Sequence, residues 1–183
     1  MKKVFVVPAL AAALFLSACG GGKNSDTEAT HEHETATSTE TATDASAGAS
    51  VPGIENVQTT DHIELQASDD MRFDKDLFKV KAGEKVKLSL KNVGTQPIES
   101  MGHNAVILDQ GTDVAAFGGE AFKAKDDEYI PSTFASSIIA HTKLLGPGAS
   151  DEIEFTLPKA GVYEFICSFP GHWGTMRGKI VAE

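Results

Sequence analysis

The chain has 183 residues, 41% hydrophobic and 23% charged, which fits one ordinary globular domain with a further segment attached. Its formal charge of −10 at pH 7 argues against nucleic acid as a partner.

Lys2 and Lys3 precede an apolar run from Val4 to Leu16. The run is too short and wrongly flanked for a spanning helix but suits a secretory signal. It ends in "LSAC", residues 16–19, where small residues approach a cysteine as in a lipobox. This predicts a lipoprotein signal peptide over residues 1–18, cleaved before an acylated Cys19; an ordinary signal with a stray cysteine is the alternative. Several acyl chains would anchor the protein firmly, since each buried methylene contributes about 0.8 kcal/mol and one chain alone is marginal. Cleavage removes two lysines and no acids, so the charge becomes −12. Gly20 is not the acidic residue associated with inner-membrane retention, which favours the outer membrane.

From Gly20 to Glu55 there is no aromatic residue, and Lys23 stands against seven acids. Such a segment cannot offset its ordering entropy, so residues 19–55 are expected to form a lipid-anchored, disordered Ala/Thr/Glu-rich linker. His31 and His33 in "HEHE" are polar residues of that linker on the plainer reading and a weak metal site on the other.

In residues 56–183 the pattern turns to period two. "KVKLSLKN" (85–92) sets Val86, Leu88 and Leu90 on one face, and "DEIEFTL" (151–157) does the same with Ile153, Phe155 and Leu157. "HIELQAS", "LFKVKAG", "HNAVIL", "VYEFICSF" and "GKIVA" complete a set of short strands separated by turn signals such as "NVGTQP" and "LGPGASD". The expected fold is all-β, a Greek-key antiparallel sandwich. A helical or irregular insert interrupts it between Gly111 and Ile138, with Pro131 ending any helix near Tyr129.

"CSFPGHWGTM", residues 167–176, places Cys167, His172 and Met176 in one loop after a strand. With Cys19 acylated, Cys167 is the one remaining thiol, kept either for metal ligation or as an inert buried group. Chance gives this His and Met spacing after a cysteine with a probability of roughly 0.0007 from the chain's own composition. Thiolate, imidazole and thioether are softer than calcium or magnesium ligands, and the thioether points to copper more than zinc. A second imidazole completes a set of two histidines and one cysteine with a weak methionine. His31, His33, His62, His103 and His141 are the candidates, and His103 in "MGHNAVIL" precedes an apolar strand.

"MGHN" (101–104), "IAHTKLLG" (139–146) and the Cys-x4-His-x3-Met loop resemble the azurins, blue-copper cupredoxins, over nearly all of residues 56–183. With the lipobox and linker, the chain is similar to a lipid-modified outer-membrane azurin. The resemblance implies one type 1 copper held by His103, Cys167 and His172, with Met176 and the carbonyl of Gly102 as distant axial contacts. It also implies that Asn104 ties the two ligand loops and helps hold the sulfur, with Phe169 in the ligand loop. The disulfide usual near the start of an azurin domain has no cysteines here.

His62, His141 and Met71 are given no metal role. Met101, Pro170, Gly171 and Trp173 are either an apolar docking rim around an exposed His172 or ordinary loop packing. The expected function is one-electron transfer, not enzymatic catalysis, because the ligand set leaves no open position for a substrate. Partners by family analogy are c-type cytochromes and copper or haem reductases or peroxidases, with the domain facing the periplasm or exposed at the surface. Copper delivery and a surface-interaction role for the scaffold are the alternatives.

Overall fold

The computed structural model describes residues 51–183. The expected signal peptide, Cys19, His31, His33 and the linker up to residue 50 lie outside the described residues. Residues 51–55, assigned from sequence to the linker, pack on the domain: Val51 is buried, and Ile54–Asn56 forms a 3-10 turn.

Among the described residues nine strands follow in chain order: β1 (His62–Ser68), β2 (Arg72–Phe73), β3 (Leu77–Val80), β4 (Lys85–Asn92), β5 (Val106–Leu108), β6 (Ile138–His141), β7 (Ser150–Thr156), β8 (Gly161–Ile166) and β9 (Arg177–Ala182). Two helices join them, the single turn α1 (Ile98–Met101) and α2 (Val114–Ala121). One sheet runs β2-β1-β4-β7 and the other β3-β9-β8-β5-β6. Alternation builds the interface between them. Ile63, Leu65 and Ala67 of β1 and Val86, Leu88 and Leu90 of β4 are buried, while His62, Glu64 and Lys85 face out. All three residues of β5 are buried, as in a strand covered on both faces.

The sandwich matches the expectation with one difference. β1 pairs with β4, and β3 with β9, in parallel. The chain crosses to the second sheet as β3 before returning as β4, so β1 and β4 run the same way instead of closing a hairpin. The insert also differs in detail. Its helix begins at Asp113, whose carboxylate accepts from Ala115 N (2.9 Å) and Ala116 N (3.0 Å), and ends at Ala121, well before Pro131. Glu128 and Tyr129 instead adopt left-handed backbone, with φ of 55° and 63°.

β5 and β6 are sewn together beside the candidate site. Buried Thr142 accepts from Ala105 N (3.0 Å) and donates to Lys143 O (3.1 Å). Thr142→Val keeps the shape but strands the Ala105 N–H, so equilibrium urea unfolding is expected to show a loss of about 1–3 kcal/mol. A change near zero would mean that the N–H finds another partner.

Candidate metal centre

Two chain segments meet at the end of the sandwich where β5 begins and β8 ends. The first comes through α1 to Gly102 and His103. Asp69, on the turn after β1, fixes its approach by accepting from Thr95 N (2.8 Å) and Thr95 Oγ1 (2.9 Å). Gly102 has an ordinary φ of −67°, so its reason is space: a Cβ there would lie 2.8 Å from Ile98 O and 3.1 Å from the Leu144 side chain. His103 then pairs with Leu145 through main-chain bonds in both directions, 3.1 and 2.7 Å.

The second segment is the loop that leaves β8. It closes on itself, with Cys167 N donating to Met176 O at 2.9 Å. Inside it His172 N donates to Phe169 O (3.0 Å), and Met176 N to His172 O (2.8 Å), with Gly171 at φ 83° making the turn. A continued strand would have sent alternate side chains to opposite faces; these turns aim them at one point.

At that point Cys167 Sγ lies 3.5 Å from His172 Nδ1 and 4.0 Å from His103 Nδ1, and the three donor atoms are within 4.8 Å of one another. An ion at the centre of a trigonal set of two nitrogens and one sulfur, with bonds near 2.3 Å to sulfur and about 2.05 Å to nitrogen, spaces nitrogen from sulfur by about 3.8 Å. The observed distances bracket that value. Gly102 O lies 4.0 Å from the same sulfur, and Met176 is fully buried in the loop. No carboxylate belongs to the cluster, so the donors suit a soft ion and not a hard one. The residues present therefore fit the copper that the ligand pattern implies.

Asn104 binds the two segments together. Its Oδ1 accepts from Ser168 N (2.8 Å), its Nδ2 donates to Ser168 Oγ (2.8 Å) and to Glu128 O (3.3 Å), and both side chains are buried. The main-chain N–H groups of Asn104 and Phe169 favour the charged form of the sulfur. Tyr129 meets the ring of Phe169 edge-on at 5.1 Å, and Phe169 lies 4.7 Å from the His172 ring.

Burial pushes the Cys167 thiol up to about 12, only partly offset by those two N–H groups. Burial, and then the neighbouring His103, lowers His172 to about 4. Burial also lowers His103, against the pull of Asp69 and the Ser68 main chain. Both imidazoles are thus neutral donors at pH 7, and the thiol gives up its proton when a metal arrives. In the metal-free protein Cys167, fully buried and protonated, is expected to resist maleimide under native conditions and react at once in denaturant. Rapid native labelling would show that the loop opens.

His172 differs from expectation in one respect. Its residue is only 2% exposed, not an open port, because Phe169 packs over it. Of the expected rim, Met101 and Pro170 are half-buried and Gly171 is exposed. Trp173 is half-buried and rests on α2 at Gly118. His62 and His141 stand apart from the donor cluster: His62 Nε2 is 2.9 Å from Ser89 Oγ, and His141 Nδ1 is 3.1 Å from Thr142 O. Met71 is an exposed turn residue. Sequence reasoning missed Ser168, Tyr129 and Gly118. Ser168 had a signal in its place beside Cys167; the other two lie in the insert, with no motif to mark them.

Residues 60–183 match the model of the copper-binding proteins of the plastocyanin/azurin family. The chain is 39% identical over 121 residues to outer membrane protein H.8 of Neisseria meningitidis, covering 63% of this chain and 64% of that one. It is thus aligned with less than two thirds of the H.8 protein. It is 34% identical over 122 residues to the azurin of Bordetella pertussis (64% of this chain, 81% of that one) and 35% over 125 residues to that of Pseudomonas chlororaphis (66% and 97%). Among solved structures it is similar to dithionite-reduced auracyanin from Roseiflexus castenholzii, with a TM-score of 0.62 and 35% identity over 69% of this chain and 99% of that one.

Proposed function

Since the chain belongs to the plastocyanin/azurin family of copper-binding proteins, we infer that it is a one-electron carrier, in which His103, Cys167 and His172 hold a single type 1 copper and Met176 and the Gly102 carbonyl are weaker ligands. The observation that carries this reading is the convergence of two Nδ1 atoms and one Sγ within 4.8 Å in a fully buried setting. Bound copper supplies a Cu(II)/Cu(I) couple. The protein keeps the donors in nearly one arrangement for both states, which limits reorganisation. The Asn104–Ser168 bonds fix the two segments relative to each other, the Asn104 and Phe169 N–H groups stabilise the thiolate, and Phe169 shields His172 from water. A set of two imidazoles, thiolate and thioether would leave no open position for a substrate, so the reading is of a carrier and not an enzyme.

The H.8 relatives, named as outer membrane proteins, support an outer-membrane location. The lipobox at residues 16–19 supports an anchor at Cys19, from which a linker would let the copper domain meet redox proteins such as c-type cytochromes and copper or haem reductases or peroxidases. The lipobox and the low-complexity linker are compatible with one second reading, a surface-interaction lipoprotein built on the cupredoxin scaffold.

The deciding experiment mixes oxidised and reduced copper-loaded full-length protein and follows the NMR lines of residues around His172. Concentration-dependent broadening is expected, since a carrier exchanges electrons rapidly between copies. Lines of the reduced, diamagnetic protein that keep their width as oxidised protein is added would overturn electron carriage and leave the surface role.

A further inference from the structure

Helix α2 contains two consecutive glycines, Gly118 and Gly119, in eight residues. A glycine inside a helix is unfavourable relative to alanine, so each invites a physical reason. Gly119 has open space where a Cβ would go. Gly118 does not: a Cβ there would lie 2.5 Å from Trp173 Cδ1 and 2.6 Å from Cε2, and would also strike Nε1. The five-membered ring of the indole therefore lies directly against the Gly118 backbone, in a notch that any side chain would fill.

The helix behind that notch is well seated. Val114, Phe117 and Ala121 are buried, Phe117 meets Phe134 edge-on at 5.4 Å, and Asp113 caps the N-terminus. Trp173 directly follows His172, whose carbonyl accepts from Thr175 N (3.0 Å) and Met176 N (2.8 Å). Whatever holds the indole thus holds the peptide that carries the outermost imidazole. The His172 ring is in contact with His103 at 5.1 Å and with Phe169, which covers it, at 4.7 Å. Trp173 braces the same stretch from outside.

We propose that Gly118 and Trp173 form a clamp that seats the ligand loop on α2 and fixes the position of His172, so that both act as positioning residues for the metal centre. The inference rests on the copper reading for its effect on metal retention, but the clamp itself can be read without metal. Trp173 is the only tryptophan in the chain, so its fluorescence reports the notch directly.

The test uses full-length protein and the variants Gly118→Ala, Trp173→Ser and the double substitution. In the metal-free state Gly118→Ala is expected to shift Trp173 emission to the red and to increase its quenching by acrylamide. After Cu(II) loading, Gly118→Ala and Trp173→Ser should each release copper to a chelator about ten-fold faster than wild type, the loss usual for a group that orients a ligand. Both should let added azide alter the visible spectrum. In the Trp173→Ser background the sign reverses. There Gly118→Ala should leave copper release unchanged and raise the melting temperature, because the notch is empty and alanine favours the helix.

Unchanged emission and quenching in Gly118→Ala would overturn the clamp. So would wild-type copper release in either single variant, or an equal effect of Gly118→Ala with and without the indole. Folded wild-type protein that takes up Cu(II) without a thiolate absorption band would overturn the copper reading alone, and emission and quenching would still decide the clamp.

Discussion

Copper-loaded Cys167→Ser is expected to lose the intense absorption band near the red end of the visible spectrum that the wild type should show. It should also bind copper more than about a hundred-fold more weakly, since loss even of groups that merely orient a ligand costs about 10–100-fold. The band requires electron density moving from a thiolate sulfur to Cu(II), and Cys167 supplies the only sulfur that can ionise in the site. Serine is nearly the same size, so the buried position stays filled and the fold should survive. The hydroxyl offers a harder and far less acidic donor between the two imidazoles. Far-UV circular dichroism alongside the visible spectrum separates loss of the site from loss of the fold. A band that persists in Cys167→Ser would move the thiolate out of the mechanism. Absence of the band from folded, copper-loaded wild type would remove the blue-copper reading and leave the scaffold role to be pursued.

Much of this centre was legible before the fold was known, for a specific reason. Three of the candidate donors sit within ten consecutive residues, so their proximity is written in the sequence, and "MGHN" marks the other two, His103 and the Gly102 carbonyl. Strands were legible where one face is buried. β1 and β4 fall where alternation put them, at His62–Ser68 and Lys85–Asn92. β2 is two residues long and carries no period, and β6 is half-buried over most of its length, so neither shows an alternating signal of its own. The parallel pairing of β1 with β4 depends on the chain crossing between sheets, which no local pattern reveals. The exposure of His172 was misjudged for a similar reason. Spacing places its Nδ1 on the metal side, but the cover over the ring comes from how Phe169 folds back and how Tyr129 of the insert packs behind it. Gly118 was invisible because its meaning lies wholly in Trp173, distant in sequence and adjacent in space.

Asn104→Ala is expected to be strongly damaging although Asn104 is not itself a metal donor. The side chain is fully buried and joins the segment carrying His103 to the loop carrying Cys167. Alanine removes the acceptor of Ser168 N (2.8 Å) and the partner of Ser168 Oγ (2.8 Å), and it leaves Glu128 O without the amide that reaches it at 3.3 Å. Each buried group left unmatched costs about 1–3 kcal/mol. Two of these bonds are short and enclosed, while the third is long and beside an exposed turn, so a total of about 3 kcal/mol is expected. For a domain of this size that is a fall in melting temperature of about 10 °C. Ser168→Ala separates the contributions. It deletes the hydroxyl but keeps the main-chain bond from Ser168 N to Asn104, so its cost should be about 1 kcal/mol. Copper retention should follow the same order, because the main-chain bond holds the residue next to Cys167 in register with the His103 segment. If Asn104→Ala and Ser168→Ala destabilise equally, the hydroxyl and not the main-chain tie carries the link. If Asn104→Ala unfolds and releases copper like wild type, the two segments are held by the sandwich beneath them, and the tie has no part in setting the site.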